Sequence, residues 1–229
     1  MEKVLVVVAH PDDEVLGMGG TIAKLTEAGK EVNVLIVTDG CTAQYRDKPN
    51  LMQILEEKKK QTRNAMEILG VKSVIYGDLF DMKLDVTAHI EINQIIEKAI
   101  NDLQPDAVFT HFWGDVNLDH RRIYESVLVA VRPVYGQIVK ELYCFEVPSS
   151  TEWNVQQVIT VFLPNVYVDI SNVKDRKYAA FAEYHQELRE YPHPRSIEYL
   201  KRRDELHGLE CGIGAAERFM LLRRIVERL

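Results

Sequence analysis

The chain is poor in cysteine, in long apolar runs and in basic charge, and each shortage removes a class of protein. Its three cysteines, Cys41, Cys144 and Cys211, are scattered and form no C-x-x-C pair. That leaves neither a disulfide frame nor a thiolate metal centre, and it fits a reducing compartment. Acidic residues outnumber basic ones, 35 to 28, for a net charge of −7; a nucleic-acid binder working by counterion release needs the opposite balance. The opening apolar run, Val4–Ala9, is six residues long, against about 20 for a membrane span and about 7–15 for a signal core. It ends in His10-Pro11-Asp12-Asp13-Glu14 instead of a small-residue cleavage site, so it is predicted to be a buried strand and the protein cytoplasmic. Linkers rich in Gly, Pro or Ser, internal repeats and low-complexity tracts are also missing. The expectation is one domain over 1–229, with a core at 1–133 and a variable part at 134–229. With 46% hydrophobic and 28% charged residues, the chain has the apolar surface to fold rather than stay disordered.

What is present is an alternation. Val4–Val8, Val32–Val37, Ser73–Tyr76 and Ala107–Thr110 are short, β-branched and apolar, as strands buried on both faces are. Between them lie helical patterns at Thr21–Ala28, stopped by Gly29; at Leu51–Leu69, stopped by Gly70; and at Thr87–Leu103, broken by Pro105. Strand–helix alternation predicts an α/β fold, Rossmann-like, with a mostly parallel sheet wound by helices on both faces. After Pro133 the pattern changes into a helical and β extension. Val139–Val147 and Ile159–Leu163 are read as strands, and Asn172–His185, Ser196–His207 and Ala215–Glu227 as helices.

The chemistry concentrates at strand ends. The first strand empties into His10-Pro11-Asp12-Asp13-Glu14, and the strand Ala107–Thr110 is followed by His111, Asp115, Asn117, Asp119 and His120, ahead of a helix beginning near Arg121. In an α/β sheet these positions share the ligand-binding edge. Two histidines and one carboxylate form a three-point metal site that keeps coordination positions open. His10 and Asp13 can converge as the chain turns at Pro11, and His120 closes the set. Asp12 then stands beside the metal without ligating it, where a general base belongs. Asp12, Asp13 or Asp119 could instead cap helices, but two polar clusters at strand ends favour a metal.

The stretches VVVAHPDDEVLGMGGTIAKL and NLDHRRIYESV, with EILGVKSVIYGDLFDMKLD between them, resemble the LmbE/PIG-L-like N-acetylglucosaminyl deacetylases at least as far as Pro133. The resemblance implies His10, Asp13 and His120 as ligands of Zn2+, with Fe2+ another fitting divalent metal, and Asp12 as general base. The implied reaction is hydrolysis of the N-acetyl group of an amino sugar or its conjugate, with water on the metal as nucleophile. It also implies a homo-oligomer, trimer or hexamer. Asp81 resembles a sugar-binding acid of the family, and Lys58 stands near where the family often has an arginine. Two departures follow. Asn117 occupies the place of a histidine found in many members, and Asp115 that of a tyrosine acid in some. Asn117 and Asp115 are thus candidates for substrate or oxyanion contact. Protonation of the leaving amine falls to Asp12 itself or to His193, in YPHPRS, whose Arg195 could hold a substrate anion; a plain surface loop is the equal alternative for that phrase.

Around this set, Glu14 either orients His10 or is a first-turn acid matching the helix dipole, and Asp119 supports the ligands. The Gly17–Gly20 segment lacks the glycine that a dinucleotide fingerprint requires at Ile22 and is read as a close backbone approach near the metal. Trp113 is a sugar platform or packing. His89, His185 and His207 are expected at the surface, and Glu56–Lys60 as a solvated helix face. Two other readings compete: a non-haem iron oxygenase using the same triad, disfavoured by the α/β alternation, and a non-catalytic sugar-binding protein of the same fold.

Overall fold

A computed structural model describes residues 1–226. Their strands are β1 (Lys3–Val8), β2 (Glu31–Thr38), β3 (Ser73–Leu79), β4 (Ala107–His111), β5 (Glu141–Phe145), β6 (Val166–Asp169) and β7 (Ala216–Arg224). All belong to one sheet in the order β3-β2-β1-β4-β5-β7-β6. β3, β2, β1, β4 and β5 run parallel, whereas β7 is antiparallel to both β5 and β6. The fold is therefore the expected α/β architecture with a mostly parallel sheet. The strand order reverses at β1, which lies between β2 and β4, and in such sheets the crevice beyond this switch point takes the ligand.

β1 shows why this strand is central. Each residue of Val4–Val8 is fully buried, each contributing roughly 1.5–3 kcal/mol relative to exposure. Alternate residues serve opposite cores: Val4, Val6 and Val8 pack with α1 (Asp13–Glu27), α3 (Leu51–Leu69) and α6 (Lys174–Ala182), while Leu5 and Val7 pack with α4 (His89–Leu103) and α5 (Leu118–Ala130). The first helix begins at Asp13, earlier than the Thr21 start that the glycines suggest. Those glycines are a packing face: a Cβ on Gly17 would stand 2.3 Å from the Phe145 ring, and one on Gly20 2.8 Å from Ile170. The close approach is thus to the sheet and the C-terminal third, not to His10, Asp13 or His120.

α1 is also broken at Met18, whose φ of −152° and ψ of 24° leave the helical region. The Gly20 and Thr21 amides beyond the break donate to the Glu217 carboxylate at 2.9 and 2.6 Å. Glu217 and Asp204 in turn flank the buried Lys177 ammonium, each at 2.9 Å. Glu217 lies on β7, which the sequence reading assigned to a helix, Ala215–Glu227; Glu227 itself lies outside the described residues. Ala, Glu, Met, Leu and Arg favour helices locally, but the segment fills the slot between β5 and β6, and tertiary pairing overrides so weak a prior. Ile159–Leu163 is not a strand: Ile159 is 72% and Leu163 62% exposed, and no sheet edge receives them. β6, the strand that does form here, begins just beyond Pro164. The helices read at Asn172–His185 and Ser196–His207 are α6 and α7 (Ile197–Glu210), the latter capped by Ser196. A short helix, α2 (Thr42–Tyr45), completes the set.

His207, expected at the surface, is buried beside Glu146. Glu146 receives Arg218 Nε at 2.5 Å and Arg203 Nη2 at 3.0 Å. Despite burial, these guanidinium groups hold its carboxyl at about 2, below its ordinary 4.5. Burial and the same arginines push His207 down to about 3. Both groups favour the folded state at neutral pH and withdraw that support in acid. His207's share fades from about pH 6.5 downward, and Glu146's from about pH 4.5 towards 2. In urea unfolding as a function of pH, the parent's advantage over a His207→Gln variant should therefore shrink below pH 6.5, and its advantage over Glu146→Gln below about 4.5. Glu146→Gln should cost about 2–3 kcal/mol at pH 7 and flatten the lower limb; an unchanged slope would show that the ion pairs carry no linkage.

Candidate active site

The end of β1 is pinned from both neighbours. The Ala9 amide donates to His111 Nε2 at 2.8 Å, and the Ala9 carbonyl accepts from the Thr38 amide and hydroxyl at 2.9 and 2.8 Å. The chain then turns so that three atoms face one point. His10 Nδ1 is 3.2 Å from Asp13 Oδ2, His120 Nε2 is 3.3 Å from the same oxygen, and the two ring nitrogens are 3.3 Å apart. Two ligands about 2.0–2.1 Å from a tetrahedral ion lie about 3.4 Å from each other, so this triangle fits one face of such a coordination shell. Nitrogen, nitrogen and carboxylate oxygen are zinc-type donors. The local field agrees: although burial opposes it, Asp13 and Asp115 raise His120 to about 9, so the spot favours positive charge.

Each histidine of the triangle is held from behind. His120 Nδ1 faces Asp115 Oδ2 at 3.2 Å, and His10 Nε2 faces Asp81 Oδ1 and Asp119 Oδ2, both at 3.2 Å. Carboxylates in this position fix ring orientation and tautomer in metal sites. Asp119 also accepts from the Met82 and Leu84 amides at 2.8 and 3.1 Å, tying the loop after β3 to the start of α5. His111 stacks flat on His120, centroids 3.9 Å apart, and burial keeps it well below its ordinary pKa.

Asp12 is 2% exposed and sits at φ 122°, ψ −26°, a region that costs a non-glycine residue of order 1–3 kcal/mol and that clusters at functional sites. Its Oδ2 faces Arg195 Nη1 at 3.3 Å without completing a hydrogen bond. Burial, only partly offset by Arg195, lifts its carboxyl to about 7. A cavity of about 290 Å³ opens here, lined by His10, Asp12, Gln44, Asp81, Asn117, Glu187 and Arg195 among others, at the low end of small-ligand pockets. A larger opening of about 640 Å³ around Tyr135 and Ile225, away from these residues, has no histidine in its lining.

Several residues fall in places other than those the sequence suggests. Asp115 does not line the cavity: it is fully buried, bound by the Ser150 and Thr151 hydroxyls, at 2.5 and 2.6 Å, and by His120. Those contacts overcome burial and hold it at about 2. Asn117 lines the cavity, but its Oδ1 caps α5 by accepting from the Asp119 amide at 2.9 Å, and its Nδ2 donates to Met82 Sδ at 3.6 Å. α5 accordingly starts at Leu118, not at Arg121. Lys58 lies off the cavity wall, 2% exposed and paired with Glu187 at 2.5 Å, so Glu56–Lys60 is not uniformly solvated. His193 is also off the wall; its Nδ1 accepts from the Arg195 amide at 3.0 Å. Glu14 touches Asp12 and Tyr184, not His10, and stands in the first turn of α1. Trp113 packs between Phe112 and Tyr124, with its indole N–H on the Ile159 carbonyl. Glu187, Tyr184 and the Ser149–Thr151 hydroxyls were not singled out in the sequence. A run of three hydroxyl residues after β5 is the one available signal; Tyr184 is a single residue near the end of the Asn172–His185 pattern, and Glu187 lies between the two patterns.

Comparison with known proteins gives the same site a family. Residues 5–131 match the PIG-L family, described as GlcNAc-PI de-N-acetylase. The chain is 30% identical over 200 residues to a diacetylchitobiose deacetylase of Thermococcus kodakarensis, covering 83% of this chain and 72% of that one. A solved N,N'-diacetylchitobiose deacetylase from Pyrococcus horikoshii superposes with a TM-score of 0.78 at 22% identity, over 97% of this chain and 84% of that one. The 4-carboxy-2-hydroxymuconate hydratase of Pseudomonas putida KT2440 superposes at 0.75 with 25% identity over the whole of both chains. The HPDDE motif and the triangle of His10, Asp13 and His120 fall within the matched residues, and the chain belongs to the PIG-L family of LmbE-like deacetylases.

Proposed function

We propose that the protein is a zinc-dependent hydrolase that removes the N-acetyl group from an N-acetylated amino sugar or its conjugate, releasing acetate and a free amine. His10, Asp13 and His120 hold the metal. When bound, a divalent ion of zinc type would supply Lewis acidity toward the amide carbonyl and toward water. The chain's own groups do the rest. Asp12, beside the ligands and lining the cavity, takes a proton from the attacking water; burial makes its carboxyl basic enough for that, while Arg195 keeps it charged. The same carboxyl then returns the proton to the leaving amine, since His193 lies off the cavity wall. Asn117, on the cavity wall, donates to the developing oxyanion through the Nδ2 hydrogen that Met82 Sδ does not take. Asp81, Gln44 and Glu187 present acceptors for sugar hydroxyls. The reading sets the enzyme in the cytoplasm as a homo-oligomer, supported by the family resemblance.

The observation that carries this reading is the strained, buried Asp12 carboxylate beside a metal-shaped triangle. A binding module has no need of either strain or a basic carboxyl there. The competing chemistry is water addition to a carbon–carbon double bond, because a hydratase shares the fold. Asp12, Asp81 and Glu187 line the cavity against Arg195 alone among arginines and lysines, a balance that favours a neutral polyol over a polycarboxylate.

Acetate release should be measured over N-acetyl sugars and their conjugates, alongside water addition to unsaturated dicarboxylates. The reading expects acetate and free amine in equal amounts and no hydration; the reverse pattern overturns it. Chelation should abolish turnover, with zinc restoring it, and His120→Ala should lower metal content per chain. Asp12→Asn should retain the metal and lose about 100-fold or more in kcat; undiminished turnover would remove Asp12 as base. Asp12→Gly should be inactive yet more stable than the parent by about 1–2 kcal/mol in urea unfolding, because glycine accepts positive φ. A destabilised glycine variant would show that the backbone at residue 12 is not strained.

A further inference from the structure

Glu14 is the third of three consecutive buried acids, and the proposed reaction gives it no part. Its two oxygens are both engaged. Oε2 accepts from the backbone amide of Asp12 at 3.1 Å, and Oε1 accepts from the hydroxyl of Tyr184 at 2.5 Å. Glu14 and Tyr184 are both fully buried. Tyr184 comes from the far side of the sequence, just beyond α6, so the contact ties the start of α1 to the C-terminal third.

The amide that Glu14 receives belongs to the residue held at φ 122°. That amide precedes the first turn of α1, so it has no place in the helical ladder, and left buried without an acceptor it would be costly. At the other end of the same residue, the carboxylate is steered by an ion pair with Arg195, not by a hydrogen bond to Oδ2. What sets the direction of the Cα–Cβ bond is therefore the backbone conformation. That conformation is held at both ends: the Asp12 carbonyl accepts from the Val15 and Leu16 amides at 3.0 and 2.9 Å, and the Asp12 amide is held by Glu14.

We propose that Glu14, itself fixed by Tyr184, is a positioning residue: it pins the strained backbone of Asp12 and thereby aims the Asp12 carboxylate. The inference rests on the proposed role of Asp12 as base. It predicts a division of labour along the HPDDE run, with His10 and Asp13 for the metal, Asp12 for the proton and Glu14 for the geometry of Asp12. Glutamine at position 14 should serve nearly as well as glutamate, because its amide oxygen can accept from the Asp12 amide while its NH2 donates to the Tyr184 oxygen.

The test uses the full-length, metal-loaded protein and four variants: Glu14→Ala, Glu14→Gln, Tyr184→Phe, and Glu14→Ala combined with Asp12→Gly. Glu14→Ala should lower kcat about 10–100-fold, as an ångström-scale misplacement does, with KM and metal per chain within about threefold and unchanged, respectively. Glu14→Gln should recover kcat to within about threefold of the parent. Thermal unfolding supplies a readout independent of turnover. Glu14→Ala should lower Tm by several degrees, and by less than half as much when residue 12 is glycine, which holds φ 122° unaided. Equal kcat for Glu14→Ala and parent, or equal Tm losses in the two backgrounds, overturns the proposal. If Glu14→Ala does not fold, Tyr184→Phe carries the test: a severalfold fall in kcat at constant KM and metal content supports it, and an unchanged kcat overturns it. These failures are distinct from failure of the functional reading, in which Asp12→Asn itself would keep its turnover.

Discussion

Three carboxylates in succession, Asp12, Asp13 and Glu14, are taken out of water at the end of β1, each no more than 2% exposed. Burying unpaired charge at that density is prohibitive, and the surrounding structure answers each acid differently. Asp13 is surrounded by His10, His111 and His120, at 3.2, 3.5 and 3.3 Å, a ring of nitrogens that leaves room for a cation. Asp12 faces Arg195 and is pushed up to about 7. Glu14, raised by burial to about 8, is satisfied by a hydroxyl and an amide. One run of like residues thus becomes a proposed metal ligand, a titratable group and a hydrogen-bond anchor.

The fold makes this arrangement possible by meeting it from two directions. The parallel half of the sheet brings the ends of β1 and β4 together at the switch point, which delivers His10, Asp13, His111 and His120. The C-terminal third supplies the opposing wall: Ser150 and Thr151 on Asp115, Tyr184 on Glu14, and Glu187 and Arg195 around Asp12. The same third reaches under α1 through Glu217, whose carboxylate occupies the break at Met18. The helix that starts with the acids is therefore held at its first turn by Tyr184, 170 positions away in sequence, and at its break by Glu217, 196 and 197 positions away.

Legibility in the sequence followed the range of the interactions. The parallel core and the polar clusters could be read from local pattern, because buried parallel strands are uniformly apolar and the clustered histidines and acids are adjacent to strand ends. The roles of individual acids could not. Asp115 and Asp81 look alike as isolated aspartates after strands, yet Asp115 is enclosed by Ser150, Thr151 and His120, while Asp81 lines the cavity. That difference is made by hydroxyls more than 30 residues downstream. β7 was misread for the same reason: its residues favour a helix locally, and only the vacancy between two strands makes it extended. The strain at Asp12 left no trace, since no local rule calls for an aspartate at positive φ.

The account turns on where the cation sits, and anomalous diffraction at the zinc absorption edge, from crystals of zinc-loaded protein, tests that directly. A single peak about 2.0–2.2 Å from His10 Nδ1, Asp13 Oδ2 and His120 Nε2 is the predicted result. A peak displaced to the other side of the His10 ring, between Asp81 and Asp119, or no peak in protein that carries zinc elsewhere, would contradict it.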